Sequence, residues 1–488
     1  MNKNLISPQK AEQTLHRGLG QRQIEMIAIG GCIGTGLFMG SGKTISLAGP
    51  AVIAIYALTG IMLYFVMRAM GELLLHNLDY KSFVDFSEDI LGPWAGFFIG
   101  WSYWLAWLVA AIAEIIAITS YMNFWWPELS PIITALCTIA LLLFINLVSI
   151  KAFGELEFWL AIVKVVAIIG LIAIGLWLVL SGFVSPEGNK ASVSNLWEYG
   201  GIFPHGTAGV LAGLQSTIFA FAGMEIIGTM MAEAKHPEKM IPDAIKKIPF
   251  RILLFYIGTV TVLMMVTPWI HISASSSPFV GMFSLVGFVS AASIVNMVVL
   301  SSALSSSNSG MFATSRMIFG LAKINSAPVF FGKLSSKSIP INAVLLSTLL
   351  MLTVVIVLMT TDSLMEAFEI VGSVTALLFI FVWSMILIAY VVHCHRRPQA
   401  HHESTFKMPL SNVMPYVVFV FFIISIYALS LVRTTRIALY ILPFWFAILG
   451  LMFFLITYKN SGYKRARLQF REKVANEKVL AKNYKREK

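Results

Sequence analysis

The chain has 488 residues, of which 58% are hydrophobic and 12% charged, and its mean hydropathy is +0.80. That is about half the charge of an ordinary soluble protein, so a water-soluble globule and a disordered chain are both excluded. The net charge of +11 is not that of a nucleic-acid binder, because no basic patch alternates with aromatic platforms.

Residues 1–23 are polar and mildly basic and lack the apolar core of a cleavable signal, so the first apolar segment is expected to direct its own insertion. Apolar segments of about 20 residues or more, long enough to cross a bilayer, follow in chain order. They lie at 24–48, 51–75, 93–122, 131–150, 159–182, 208–231, 250–270, 280–305, 341–360, 366–393, 412–432 and 438–457. The pattern predicts an all-α integral membrane protein of twelve transmembrane helices over 24–457, followed by a basic tail at 458–488. Span eight is expected to run on through its Ser-rich end toward Arg316.

Twelve crossings leave both termini on one side. With that side taken as the cytoplasm, 31 of the 35 Lys and Arg residues fall on inner segments, and only Lys43, Lys190, Arg433 and Arg436 on outer ones. This asymmetry is what orients a membrane protein. Lys464, Arg465, Arg467 and Arg471 in the tail can also meet anionic lipid headgroups. The segment between spans two and three is acidic, with Glu72, Asp79, Asp85, Glu88 and Asp89, but acids weigh little in orientation.

Span one holds Gly30, Gly31, Gly34 and Gly36, and span six a lighter break at Phe219 to Gly223. Glycine disfavours helix by about 1 kcal/mol per site, and loose backbone at membrane depth survives only where protein or a cavity covers it. Two interrupted helices five spans apart predict an inverted-repeat carrier with its site between the breaks. The competing reading, that Gly30 and Gly34 only allow close helix packing, also fits span one alone. Freed N–H groups and the Thr35 hydroxyl would suit a carboxylate, and unwound carbonyls an ammonium group, so the solute is expected to be a zwitterion.

Ionisable residues inside spans are functional candidates by default. Glu114 lies on span three, Lys164 on span five and Glu225 just past the span-six break. All three are candidates for proton coupling. A plain helix–helix hydrogen bond for Glu114, snorkelling for Lys164 and bracing of the broken helix by Glu225 are the alternatives. Glu366 and Glu369 read as interfacial. Cys32, Cys137 and Cys394 lie far apart with no CxxC motif, so no disulfide framework, metal site or cofactor is expected. Gly42-Lys43-Thr44 fails as a phosphate loop because Leu37 stands where its first glycine would be needed. No hydrolytic set is visible, which argues against an enzyme.

Several stretches together resemble the amino acid transporter family of the amino acid-polyamine-organocation superfamily, over about residues 15 to 457. They are Ile27 to Phe38, Ser46 to Pro50, Gly71-Glu72, Gly154 to Phe158, Phe219 to Glu225, Glu233 to Pro237 and Ser315-Arg316. The resemblance implies a leucine-transporter-like 5+5 inverted repeat, 24–182 and 208–393, with helices 1 and 6 unwound and helices 11 and 12, at 412–457, peripheral. It implies that Ile33, Gly34, Thr35 and Gly36 bind the substrate carboxylate, Phe219 is an aromatic gate, and Ala220, Phe221, Ala222 and Gly223 form the pocket wall. Lys164 matches a lysine that replaces a sodium ion in relatives. The implied activity is proton-driven uptake of small neutral amino acids, D-alanine, D-serine and glycine among them, across a bacterial inner membrane. Aromatic amino acids or 4-aminobutyrate, an exchanger mechanism, and a channel or non-transporting sensor are the rival readings.

Overall fold

The computed structural model describes residues 26, 30, 33–148, 150–186, 188–229, 236–274, 276–285, 289–459 and 461–487. Among these, helices dominate, and the only β pairing is a lone bridge between Val184 and Lys190. Ten helices are long and apolar enough to cross a membrane, and Pro131–Leu147 is a shorter apolar one. The first of the ten, Gly40–His76, joins the second half of span one to span two, and the beginning of span one lies largely outside the described residues.

Span one appears as two pieces, Thr35–Phe38 and Gly40–Ala48. The chain then turns at Gly49, at φ +60°, where a Cβ would lie 2.5 Å from Pro204; only glycine fits. Span two is Val52–His76. A short helix, Phe83–Leu91, follows, started by a capping box between Ser82 and Asp85. Glu72 belongs to span two rather than to the connecting segment: it is buried and accepts from the Tyr390 hydroxyl (2.9 Å) and the Met408 amide (2.8 Å).

Spans three to five are Pro93–Met122, Pro131–Val148 and Ile150–Leu180, the last beginning nine residues earlier than the apolar count suggested. Span six is Gly206–Ala220, resumed by a tight turn of helix at Met224–Thr229. Span seven loosens into π-helix at Ile252–Gly258 before Thr259–Val266. Span eight, Val289–Lys323, passes unbroken through its serines as anticipated. Hydroxyls such as those of Ser301 and Ser307 bond back to carbonyls of their own helix, so they do not disturb it.

Span nine is Ile341–Met351 with Thr353–Thr360, span ten Leu364–Arg396, span eleven Met414–Leu431 and span twelve Arg433–Lys459. Spans three and ten are the most enclosed, with 78% of each apolar stretch buried, whereas span twelve has 6%. Phe444, Leu451 and Phe454 on span twelve point outward, as a lipid-facing helix requires. The tail forms a helix too, Ser461–Glu487. It docks Phe470 on Gly92, while Lys473 and Glu477 meet Asp89 and Arg397.

Candidate functional site

The two interrupted spans meet. A Cβ on Gly36 would sit 2.6 Å from the Ala220 Cα, so span one touches span six backbone to backbone. Span one is bent at Ile33 and Gly34, with Gly34 extended (φ −119°, ψ −169°). Span six ends at Ala220, turns through Phe221 and Ala222, and passes Gly223 at φ +100°. An aromatic or branched residue at Gly223 would be strained, which is why the break falls there.

Carbonyls released by such breaks need donors, because lipid offers none. Each has one. Lys164 Nζ donates to Gly30 (3.0 Å), the Ser302 hydroxyl to Ile33 (2.9 Å) and the Ser277 hydroxyl to Phe38 (2.6 Å). In span six the Tyr256 hydroxyl donates to Ala220 (2.9 Å), and the Tyr256 ring stacks on Phe221 with centroids 4.4 Å apart. The π-helical turn of span seven is what aims Tyr256 there. Lys164 is fully buried, which removes the snorkelling alternative.

Between the breaks lies a cavity of about 20 Å³, lined by Gly34, Gly36, Trp107, Ala110, Glu114, Phe219, Ala220, Ala222 and Ser306. That holds roughly one water molecule. Glu114 Oε1 accepts from the Thr35 amide at 3.3 Å and would be 2.7 Å from a Cβ on Gly34. Thr35 Oγ1, Glu114 Oε2 and Ser306 Oγ are buried and make no hydrogen bond. Buried polar atoms without partners cost about 1–3 kcal/mol each, so the geometry favours a polar ligand among them. Phe219 closes one side, edge-on to Phe368 at 5.7 Å and against the bare Gly372.

The profile of the amino acid permease family matches residues 23–461. The chain belongs to the amino acid permease family. It is 51% identical to the D-serine/D-alanine/glycine transporter of Escherichia coli K12, over 93% of this chain and 97% of that protein. The amino-acid permease AapA of Bacillus subtilis is 43% identical over 91% of this chain and 95% of its own. The aromatic amino acid transport protein AroP of Shigella flexneri is 36% identical over 92% and 97%.

The permease is thus a membrane transporter and not an enzyme, with its two breaks five spans apart as a five-plus-five inverted repeat requires. Of the residues singled out from its sequence, Gly34, Gly36, Glu114, Phe219, Ala220 and Ala222 line the cavity. Thr35 adjoins it through its amide, which donates to Glu114, whereas the Ile33 carbonyl is taken by Ser302 and Ile33 does not line it. Phe221 turns away onto Tyr256. Gly223 donates its amide to Glu225 Oε2 at 3.2 Å, so Glu225 braces the turn. Its Oε1 lies near the indole N–H groups of Trp107 and Trp383 without a bond to either.

Sequence reasoning missed Trp107, Tyr256, Ser302 and Ser306. The dense cluster Ser301, Ser302, Ser305, Ser306, Ser307, Asn308, Ser309 within a membrane-spanning helix was the available signal. Its register decides which hydroxyls face span one.

Proposed function

We propose that this permease is a proton-coupled symporter of small neutral amino acids, D-alanine, D-serine and glycine, working by alternating access in a bacterial inner membrane with both termini cytoplasmic. The observation that carries the reading is the lining between the breaks, closed here to about one water molecule and therefore required to widen for substrate: it is mostly Gly and Ala, and Thr35, Glu114 and Ser306 offer it unpartnered polar atoms. A substrate carboxylate takes the Thr35 amide and hydroxyl, with Ile33, Gly34 and Gly36 shaping the approach. Its ammonium group uses the second lone pairs of carbonyls at the breaks. Phe219 is the gate, Ala220 and Ala222 form the wall that admits only a small side chain, and Phe221 and Gly223 hold the turn behind it.

Coupling follows from one hydrogen bond. Glu114 Oε1 holds the amide that the substrate would use. A protonated carboxyl accepts more weakly than a carboxylate, so proton binding frees Thr35 for the substrate. Lys164 holds the entry to the break, and Glu225 holds span six. Spans 24–182 and 208–393 move as the two repeats, with 412–457 outside them, and the surrounding lipid is a solvent rather than a ligand.

Purified permease in proteoliposomes tests this. An imposed inward proton gradient is expected to drive labelled glycine above its external concentration, with unlabelled D-alanine and D-serine competing and phenylalanine and 4-aminobutyrate not. Lys164→Ala is expected to flatten the dependence on external pH. Accumulation that ignores a protonophore would overturn the coupling, and uptake only into preloaded vesicles would make the protein an exchanger.

A further inference from the structure

Glu157 is a buried acid that the transport reading leaves unused. It lies on span five and is 2% exposed. Its Oε2 accepts from the Ser305 hydroxyl at 2.6 Å and its Oε1 from Asn308 Nδ2 at 2.8 Å, both on span eight. Asn308 is in turn oriented by Asn146 Nδ2 of span four, at 2.8 Å from its Oδ1. A carboxylate of this kind is costly to bury, and three spans contribute to its cradle.

Its position links it to the broken helix twice. Seven residues along span five, two turns on the same face, comes Lys164, which holds the Gly30 carbonyl. On span eight, Ser302 lies one turn before both, three residues from Ser305 and four from Ser306. Ser302 holds the Ile33 carbonyl and Ser306 lines the cavity. Among the described residues, the charged group facing Glu157 is Lys164, and Glu114 of span three faces Lys164 in turn. Span eight presents Ser305, Asn308 and Ser309, and span four Asn146, all neutral.

Two acids and one amine therefore share an interior that favours zero net charge, and one added proton supplies it. Glu157 can hold that proton without breaking its cradle. A serine hydroxyl both donates and accepts, so Ser305 donates to the carboxylate and accepts from the protonated acid.

We propose that Glu157 is a positioning residue of proton coupling: it completes a buried charge set with Glu114 and Lys164 and ties that set, through Ser305 and Asn308, to the span-eight serines that hold span one. The proposal rests on the symport reading. Wild-type permease in proteoliposomes tests that reading separately, by gradient-driven glycine accumulation. In the same vesicles, Glu157→Gln is expected to keep glycine binding and glycine–glycine counterflow within about twofold, while losing gradient-driven accumulation about tenfold. Ser305→Ala, which keeps the acid and removes one donor, is expected to displace the pH midpoint of accumulation. An unchanged pH profile in both variants overturns the proposal. So does a folded Glu157→Gln protein, eluting as a single species, that loses binding and counterflow along with accumulation, since Glu157 would then only pack the helices. If Glu157→Gln does not fold, the Ser305→Ala profile decides alone.

Discussion

A Cβ on Gly36 would lie 2.6 Å from the Ala220 Cα and 2.9 Å from its nitrogen, and neither backbone atom can swing aside. Gly36→Ala must therefore push span one off span six, at about 1–3 kcal/mol if overpacking behaves as in other cores. Glycine uptake is expected to fall to background and the melting temperature to drop; near-normal uptake would mean that the breaks do not meet at this point. The glycines and the Phe-Ala-Phe-Ala-Gly run were readable in the sequence because helix propensity is a local property. Lys164 and Glu157 were harder. A lysine seven residues from a glutamate reads the same whether the pair faces lipid, headgroups or protein, and only the packing of spans one and eight against span five decides it. Lys43 illustrates the same limit. By charge count it belongs to a connecting segment, yet it lies on Gly40–Ala48 and pairs with Glu369 of span ten at 3.0 Å.

That pair joins the second half of span one to the start of span ten, and Thr434 of span twelve also donates to Glu369. Because both charges are partly exposed, a coupling of no more than about 1 kcal/mol is expected. Lys43→Ala and Glu369→Ala should each slow uptake, and the swapped pair Lys43→Glu with Glu369→Lys should recover part of the loss. Additive single effects in a thermal double-mutant cycle would dismiss the contact. At the other end of span ten, the helix Phe83–Leu91 carries three acids, of which Glu88 and Asp89 behave oppositely. Burial, and then the neighbouring Asp85 and Asp89, push the Glu88 carboxyl up to about 7. The folded protein thus holds this proton more tightly than the unfolded chain, whose carboxyl titrates near about 4.3. Stability is lost as pH rises between those values and is level above them. Glu88→Gln is expected to raise the melting temperature by about 2 °C or more at pH 8, with most of the gain gone at pH 5. A gain equal at both pH values would show that the charge is not the cause. Asp89 differs: burial opposes its charge, but donors from Lys473, Tyr80 and Arg397 hold it down to about 2. Its contribution is complete above the ordinary carboxyl range and vanishes only as pH falls through about 2, so docking of the tail should respond to salt rather than to physiological pH.

The whole molecule has one end where the tail helix Ser461–Glu487, the helix Phe83–Leu91 and the residues after span ten converge on Asp89 and Arg397. Those are segments that the Lys and Arg count assigns to the inside, so three-dimensional grouping and charge asymmetry support one orientation. The parity of the crossings can be tested with it. Lys190 follows span five and Lys478 follows span twelve, so an even total of twelve puts them on opposite faces of the membrane. In a protein with Cys32, Cys137 and Cys394 replaced, Lys190→Cys is expected to react with an impermeant thiol reagent applied to intact cells. Lys478→Cys should react only after the cells are opened. Labelling of Lys478→Cys alone from outside would invert the orientation. Labelling of both from one side would mean an even number of crossings between them, and with it the loss of the repeat geometry that brings spans one and six together.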